Sequence, residues 1–223
     1  MSTFPLSKWI RFQNPKFTFL KKSFGDKNFR LLDIGTGNHS ATKTKFLFPQ
    51  CEYYGLDLTK DYNNDEADFD AMKGFYEMDL TLLDFSSLPN NFFDAIWLVH
   101  VIEHLHNGDE VLKGLLEKLK TNGYMYIEYP GKRSTSLPSM RGTLNFKDDH
   151  SHVRLYSIKE LTSLFQTNNC TVLESGLRRS LFYVIATPGR ILFRWLRGKA
   201  VTGNIFWDLL GFAEFVWIKK KAV

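Results

Sequence analysis

Arg30 to Ser40 reads RLLDIGTGNHS, and the rest of the chain can be ordered from it. Leu31, Leu32 and Ile34 form the short apolar run of a buried parallel strand. Gly35 and Gly37 follow, where the backbone must turn sharply and let a ligand come close. Asp33 stands where the strand ends. A phosphate cradle wants bare backbone N–H groups and helix N-termini, not a carboxylate. The expected ligand therefore carries positive charge or hydroxyl and amine donors.

Moving outward, Ser40 to Phe48 suits a crossover helix stopped by Pro49, and CEYYGLDL a second strand ending in Asp57. Lys60 to Met72 is polar and acidic, compatible with a loop and a short helix. GFYEMDL supplies a third strand ending at Asp79, and Phe93 to Val99 a fourth. Val111, Leu112, Leu115, Leu116 and Leu119 recur at helical spacing, closed by Asn122 and Gly123 before a fifth strand, Tyr124 to Glu128. A long polar stretch then runs to Arg154, and a loop of that length in a compact domain is usually functional. Ser157 and Glu160 form a capping box that opens a helix through Phe165. CTVLESGLR reads as a sixth strand and AEFVWIKKK as a seventh, separated by an apolar and basic insert over 180–212. This alternation predicts an α/β fold, a Rossmann-like doubly wound sheet of seven strands, with ligands at the C-terminal strand ends. Residues 1–29 form an aromatic, basic lead-in, helical around Leu6 to Phe12 and Phe17 to Phe24 and broken by Pro15, which caps the domain or lids its cleft.

Composition narrows the function classes. With 223 residues, 43% of them hydrophobic, the chain buries one substantial core, and whole-chain disorder is excluded. Cys51 and Cys170 offer neither metal spacing nor a disulfide framework, which fits a reducing cytoplasm. The opening MSTFPLSKWIRF lacks the features of a signal peptide, and no stretch reaches the roughly 18 apolar residues of a spanning helix. The expected location is cytoplasmic, extending to the inner face of the membrane. The net charge of +5 is unevenly spread: basic residues crowd the first thirty positions and Arg178 to Lys199, whereas Asp57 to Glu110 is acidic. Basic ends suit an anionic substrate, nucleic acid or a membrane surface. Nucleic acid is the least favoured, because no recognised RNA or DNA module is present.

Four motifs in order, LLDIGTG, YYGLDL, YEMDL and FDAIWLVHVIEHL, resemble those of the class I S-adenosylmethionine-dependent methyltransferases, especially small bacterial enzymes related to the ubiquinone pathway. The resemblance covers about Phe29 to Arg178, with Phe215 to Lys219 matching a closing antiparallel strand, so the sheet is expected to be mostly parallel. It implies S-adenosyl-L-methionine as cofactor. Asp33, Gly35 and Gly37 would line its methionine part, Asp57 would accept from the ribose hydroxyls, and Asp79 from the adenine amino group. Leu58 and Leu80 would flank the ring, and His100 with Val101 would sit beside the reacting methyl. The third glycine of the usual Gly-x-Gly-x-Gly is His39, so either the local backbone differs or His39 points into the cleft.

Other readings of these residues compete. A nicotinamide-binding domain also carries glycines and an acid, but Asp33 would be out of place beside a pyrophosphate and Asp79 unexplained. HVIEHLH sets His100, Glu103 and His104 at spacings of three and four, matching an inverted zinc-protease motif that would need a third, distant ligand. The resemblance implies a second metal reading, a Glu-x-x-Glu-His site with His100 in place of the first Glu and His150 or His152 later in the chain. The bland reading, that Glu103 and His104 start a helix and line the cleft, is preferred, and no metal is expected. If the acceptor must lose a proton, His104, His150 and His152 are the candidate bases. The expected partner is a small-molecule or lipid-linked acceptor. The insert, with Ile191, Leu192, Phe193, Trp195 and Leu196 among Arg190, Arg194 and Arg197, either lies in a membrane interface or packs its apolar side on the sheet and leaves its arginines in water. Packing is the favoured expectation. The competing function class is a non-catalytic Rossmann-fold protein that binds a membrane surface or a protein partner.

Overall fold

The computed structural model describes residues 6–222 apart from Asp61. Its seven strands are β1 (Phe29–Ile34), β2 (Cys51–Asp57), β3 (Gly74–Glu77), β4 (Phe93–Val99), β5 (Leu119–Pro130), β6 (Cys170–Leu177) and β7 (Ala213–Lys220). They lie in the order β3-β2-β1-β4-β5-β7-β6. The first five are mutually parallel, and β7 runs antiparallel to both neighbours. The order reverses between β1 and β4, which makes their C-terminal ends the switch point at which ligands bind in such sheets.

Side chains alternate across the sheet, so each strand feeds two cores. Leu32, Ile34, Ile96, Leu98 and Met125 face α5 (Gly108–Lys118) and α6 (Ile158–Thr167), whose Leu112, Leu115, Leu161 and Phe165 are fully buried there. Leu31, Tyr53, Ala95, Trp97 and Tyr126 face the opposite way, toward α2 (Pro15–Phe24) and α3 (Ser40–Leu47). The lead-in thus forms a layer of the domain. Phe19 of α2 lies 4.6 Å from Trp217 and 5.4 Å from Tyr126 between ring centroids. Each such buried aromatic stabilises the fold by about 1.5–3 kcal/mol. Pro15 opens α2 and does not merely interrupt a helix, because its missing N–H is harmless in the first turn and Asn14 accepts from Lys16 N at 3.2 Å. The shorter α1 (Leu6–Phe12) precedes it.

Several boundaries differ from expectation for identifiable reasons. Strand β3 ends at Glu77, short of Asp79, whose carboxylate accepts from Thr81 N and Oγ1 (2.9 and 2.6 Å) and so starts a 3-10 turn, Leu80–Leu82. Helix α5 stops at Lys118, and Leu119 already pairs with Phe93. Asn122, at φ 64°, and Gly123 occupy the irregularity that follows. Ser157 Oγ caps α6 through Glu160 N, but the Glu160 carboxylate accepts from Arg154 at 2.6 Å and does not close the box. A short helix, α4 (Glu66–Ala71), lies in the acidic stretch after β2.

The insert departs furthest. It folds as α7 (Leu181–Leu196), a 3-10 turn (Gly203–Ile205) and α8 (Trp207–Leu210). The favoured packing is overturned: Leu181, Ile185, Leu192, Trp195 and Leu196 point to solvent, while Tyr183, Thr187, Arg190 and Arg194 take the sheltered side. Among the described residues no helix is long and apolar enough to cross a membrane.

Candidate active site

The glycine turn is built from beneath. Asp33 is buried, and its Oδ2 accepts from Tyr53 and from Ser40, both at 2.6 Å. Thr36 joins Tyr53 through a hydroxyl contact of 2.5 Å. Burial, and after it the Asp33 charge, pushes the Tyr53 phenol well above its ordinary range, so it stays protonated and able to donate. One carboxylate thus ties β1, β2 and the first turn of α3 together. Gly35 adopts φ 73°, and a Cβ there would meet Val101 Cγ2 at 2.4 Å. Gly37 is covered by the segment after β2, where a Cβ would meet the Tyr62 ring at 2.1 Å. That segment is tied down by Asn38 N to Tyr62 O, Asn63 to Asn38 and Asn64 to Thr36 O.

His39 takes the left-handed conformation that the absent glycine would have favoured, φ 57°, at a cost of about 1–2 kcal/mol. Its ring turns onto α4, with Nδ1 2.7 Å from Asp68 Oδ2. Burial would raise the Asp68 carboxyl, but bonds from Thr42 and His39 outweigh it and hold the group at about 2.

Asp57 and Asp79 stand near the ends of the next two strands. Asp57 is half-buried, accepts from Leu58 N at 2.7 Å, and is pushed above the usual carboxylate range by burial, against the pull of that N–H. Asp79 caps its turn and is drawn down by the Thr81 hydroxyl and amide. The structure separates Leu58 from Leu80: Leu58 is 60% exposed, whereas Leu80 is turned into the core.

After β4 the chain makes another left-handed turn, at His100 (φ 57°), whose N–H donates to Glu128 O. The His100 ring lies 3.2 Å from Glu103 Oε1 through Nδ1, 3.3 Å from Glu128 Oε1 through Nε2, and 4.8 Å from the Trp207 ring. Burial would lower its pKa, but the two carboxylates outweigh burial and lift it to about 9. Glu128 also meets Arg178 Nε at 3.4 Å and accepts from Tyr126 at 2.7 Å. Arg178 Nη1 reaches Asp208 of α8 at 2.5 Å, and Asp208 accepts from Ser180 N at 2.6 Å. Burial would raise Glu128, but Arg178 and His100 hold it at about 2. A buried chain of alternating charge therefore joins the β4 rim to both ends of the insert. A carboxylate in the apolar strand YMYIEYP was its one sequence signal.

Of the three candidate bases the structure gathers two. His152 bonds Phe146 O through Nδ1 and brings Nε2 to 3.9 Å from Glu103 Oε1, while its ring lies 4.8 Å from that of His104. His150 is exposed and stands outside this group. His104 Nδ1 lies 2.9 Å from Ser151 Oγ, which donates its only proton to Asp149. His104 must then donate through Nδ1, which leaves a lone pair on Nε2. Glu103, His104 and His152 offer donor atoms within 4.8 Å of one another, and Glu103 Oε2 is buried with no hydrogen-bond partner. The edge so assembled combines a cradle closed to any Cβ, accessible carboxylate, and an imidazole able to take a proton.

Comparison with known proteins agrees with this geometry. A family model described as a methyltransferase domain matches residues 9–175. Among curated proteins none matches the chain significantly. A chain of the complex between the Haloferax volcanii Trm112 methyltransferase activator and the putative methyltransferase is similar at TM-score 0.66 and 14% identity, over 96% of this chain and 92% of that one. An S-adenosylmethionine-dependent methyltransferase from Archaeoglobus fulgidus is similar at 0.57 and 18%, over 96% and 94%. Burkholderia thailandensis 1,6-didemethyltoxoflavin-N1-methyltransferase, solved with 1,6-didemethyltoxoflavin and S-adenosylhomocysteine, is similar at 0.59 and 14%, over 94% and 78%. With the family match spanning more than half of the sequence, and with the closing antiparallel strand expected of it, the chain belongs to the class I S-adenosylmethionine-dependent methyltransferases.

Proposed function

We propose that this protein transfers a methyl group from S-adenosyl-L-methionine to a small-molecule acceptor, lipid-linked or otherwise. The observation that carries the reading is the half-buried Asp57 carboxylate at the end of β2, one strand from a glycine turn at the switch point. Asp57 holds the ribose hydroxyls, and Asp79 the adenine amino group. Leu58 flanks the ring, with Leu80 supporting its bed from the core. Gly35 and Gly37 let the turn pack closely against Val101 and Tyr62, beside which the methionine part lies, and Asp33 sets the shape of the turn while placing negative charge beneath a cationic ligand. His100 lines the acceptor side with Trp207.

When bound, S-adenosylmethionine supplies an electrophilic methyl group on a sulfonium. The chain's own contribution is to align the acceptor with that methyl and to exclude water, which accounts for most of the acceleration in such displacements. For an acceptor that must lose a proton, His104 Nε2 receives it, with Ser151 and Asp149 holding the imidazole in the required tautomer. His152 supports the same carboxylate, and His150 serves at most an acceptor outside the cluster. The small-molecule reading is supported by a neighbour that methylates 1,6-didemethyltoxoflavin. Calorimetric titration with S-adenosylmethionine tests the core of the reading. Micromolar binding, about −8 kcal/mol, that is lost in Asp57→Ala supports it; absence of binding by the native protein defeats it.

A second reading is favoured by the unpartnered Glu103 Oε2: a divalent cation held by Glu103, His104 and His152 would orient an acceptor oxygen. Titration with Mn²⁺ or Zn²⁺ decides it, since the heat should vanish in Glu103→Gln.

A further inference from the structure

Helix α7 is amphipathic in the wrong sense for a soluble surface. At about 100° per residue, Leu181, Ile185, Leu192, Trp195 and Leu196 fall in a sector roughly 100° wide. That sector is the one facing solvent, and its five side chains are 54–73% exposed. The sheltered side carries the polar groups: Thr187 is buried, Tyr183 donates to Ile10 O at 3.3 Å, and Arg190 and Arg194 reach Ile205 O and Ala200 O. Five large apolar side chains on one exposed face are far more than scattered surface hydrophobics, and they require a cover.

The chemistry on the polar side of the helix identifies the cover. Along the C-terminal half of α7 opens a cavity of about 300 Å³ lined by Arg190, Arg194, Arg197 and Lys199, with Phe193 on its wall. Among the described residues none of these four cations forms an ion pair with a carboxylate. Unneutralised cations on the polar side of a helix whose apolar stripe ends in a tryptophan combine the two demands of an anionic bilayer surface. A protein groove would take the stripe but supply no reason for the uncompensated charge.

We propose that α7 docks this protein on an anionic lipid bilayer, with the Leu181–Leu196 stripe entering the acyl boundary and Arg190, Arg194, Arg197 and Lys199 drawing anionic headgroups from the polar side of the helix. The helix lies on the membrane and does not cross it. Docking does not depend on methyl transfer, but it bears on the acceptor. The insert that carries α7 returns through α8, whose Trp207 touches His100, so the reactive edge sits at the end of the membrane-bound segment.

Sedimentation of the full chain with vesicles tests the proposal. Binding is expected to phosphatidylcholine vesicles that contain phosphatidylglycerol, and at least about tenfold weaker binding to phosphatidylcholine alone. Leu192→Glu and Ile185→Glu, two independent substitutions on the exposed face, should each abolish binding while leaving S-adenosylmethionine binding intact, which shows that they fold. Arg197→Gln should weaken binding about fivefold, and added salt should weaken it further. Equal affinity for both vesicle types, no affinity for either, or full binding by the two Glu variants would overturn the proposal. So would a dimer in solution that Leu192→Glu converts to monomer, because a second copy would then be the cover. Failure of S-adenosylmethionine binding in the native chain would count against the methyltransfer reading alone.

Discussion

Helices α6 and α7 carry equally clear amphipathic patterns and lie with opposite faces to the protein. Leu161 and Phe165 of α6 are fully buried against the sheet, and its polar residues meet solvent. The corresponding stripe of α7 meets solvent, and its arginines turn inward. The difference comes from what stands at each end. Helix α6 leads directly into β6, so it is drawn over the sheet, whereas α7 is launched from the sheet edge by the Arg178–Asp208 clamp. An amphipathic pattern specifies which side is apolar, and only the neighbours decide what covers it.

Breaking the clamp should have the largest effect. Arg178→Leu removes the cation shared by two buried carboxylates, leaving Glu128 with His100 and Tyr126 and Asp208 with Ser180 N, and about 3–5 kcal/mol of stability should be lost in urea unfolding at neutral pH. The pH profile sharpens this test. Glu128 is held at about 2 against an ordinary 4.5, so its contribution is present above 4.5 and is lost only as pH falls through 2. In the variant the loss should begin at a higher pH than in the native protein.

Cutting each helix at its stripe comes next. Leu161→Ala should cost about 2–5 kcal/mol, and Leu192→Ala no more than about 0.5 kcal/mol, in the same assay. Equal costs would mean that α7 packs on the protein after all.

The cofactor edge gives a smaller effect, confined to binding. Asp57→Asn should weaken S-adenosylmethionine by about 1.5–3 kcal/mol, the worth of hydrogen bonds to a charged acceptor. In the native protein, affinity should fall on acidification from a pH above the ordinary carboxylate value of 3.8, because burial raises Asp57 and protonation removes its acceptor capacity. Calorimetry across acid pH measures this directly.

The smallest expected change is His39→Gly. Relief of the left-handed backbone is worth about 1–2 kcal/mol and loss of the bond to the ionised Asp68 about 1.5–3 kcal/mol, so the two largely cancel in a thermal melt. A large loss would show that the His39 ring, not its backbone, shapes the turn.

The β1 to β5 alternation, the acids near the ends of β1 to β3 and the missing third glycine were all legible in the sequence, because strand periodicity and turn chemistry are local. Asp33 was legible as a carboxylate at the end of the first strand, but its partner Tyr53 was not, since the two meet only through the β1–β2 register. His150 and His152 are indistinguishable in the string DDHSHVR. The fold sends His152 to Glu103 because Val153 N and Arg154 N donate to Glu103 O, which pins the loop beside that carboxylate. Arg178 read as one more member of a basic run until the closing strand brought it onto Glu128.

By itself the sequence determined the sheet, the edge at which its acids gather and the family, because each rests on patterns within a few residues or on motifs in a set order. The tertiary structure alone decided which histidines gather, how the buried charges pair and which face of α7 meets solvent. Those outcomes depend on contacts between segments tens of residues apart, and no local periodicity encodes the direction in which a packed helix is finally turned.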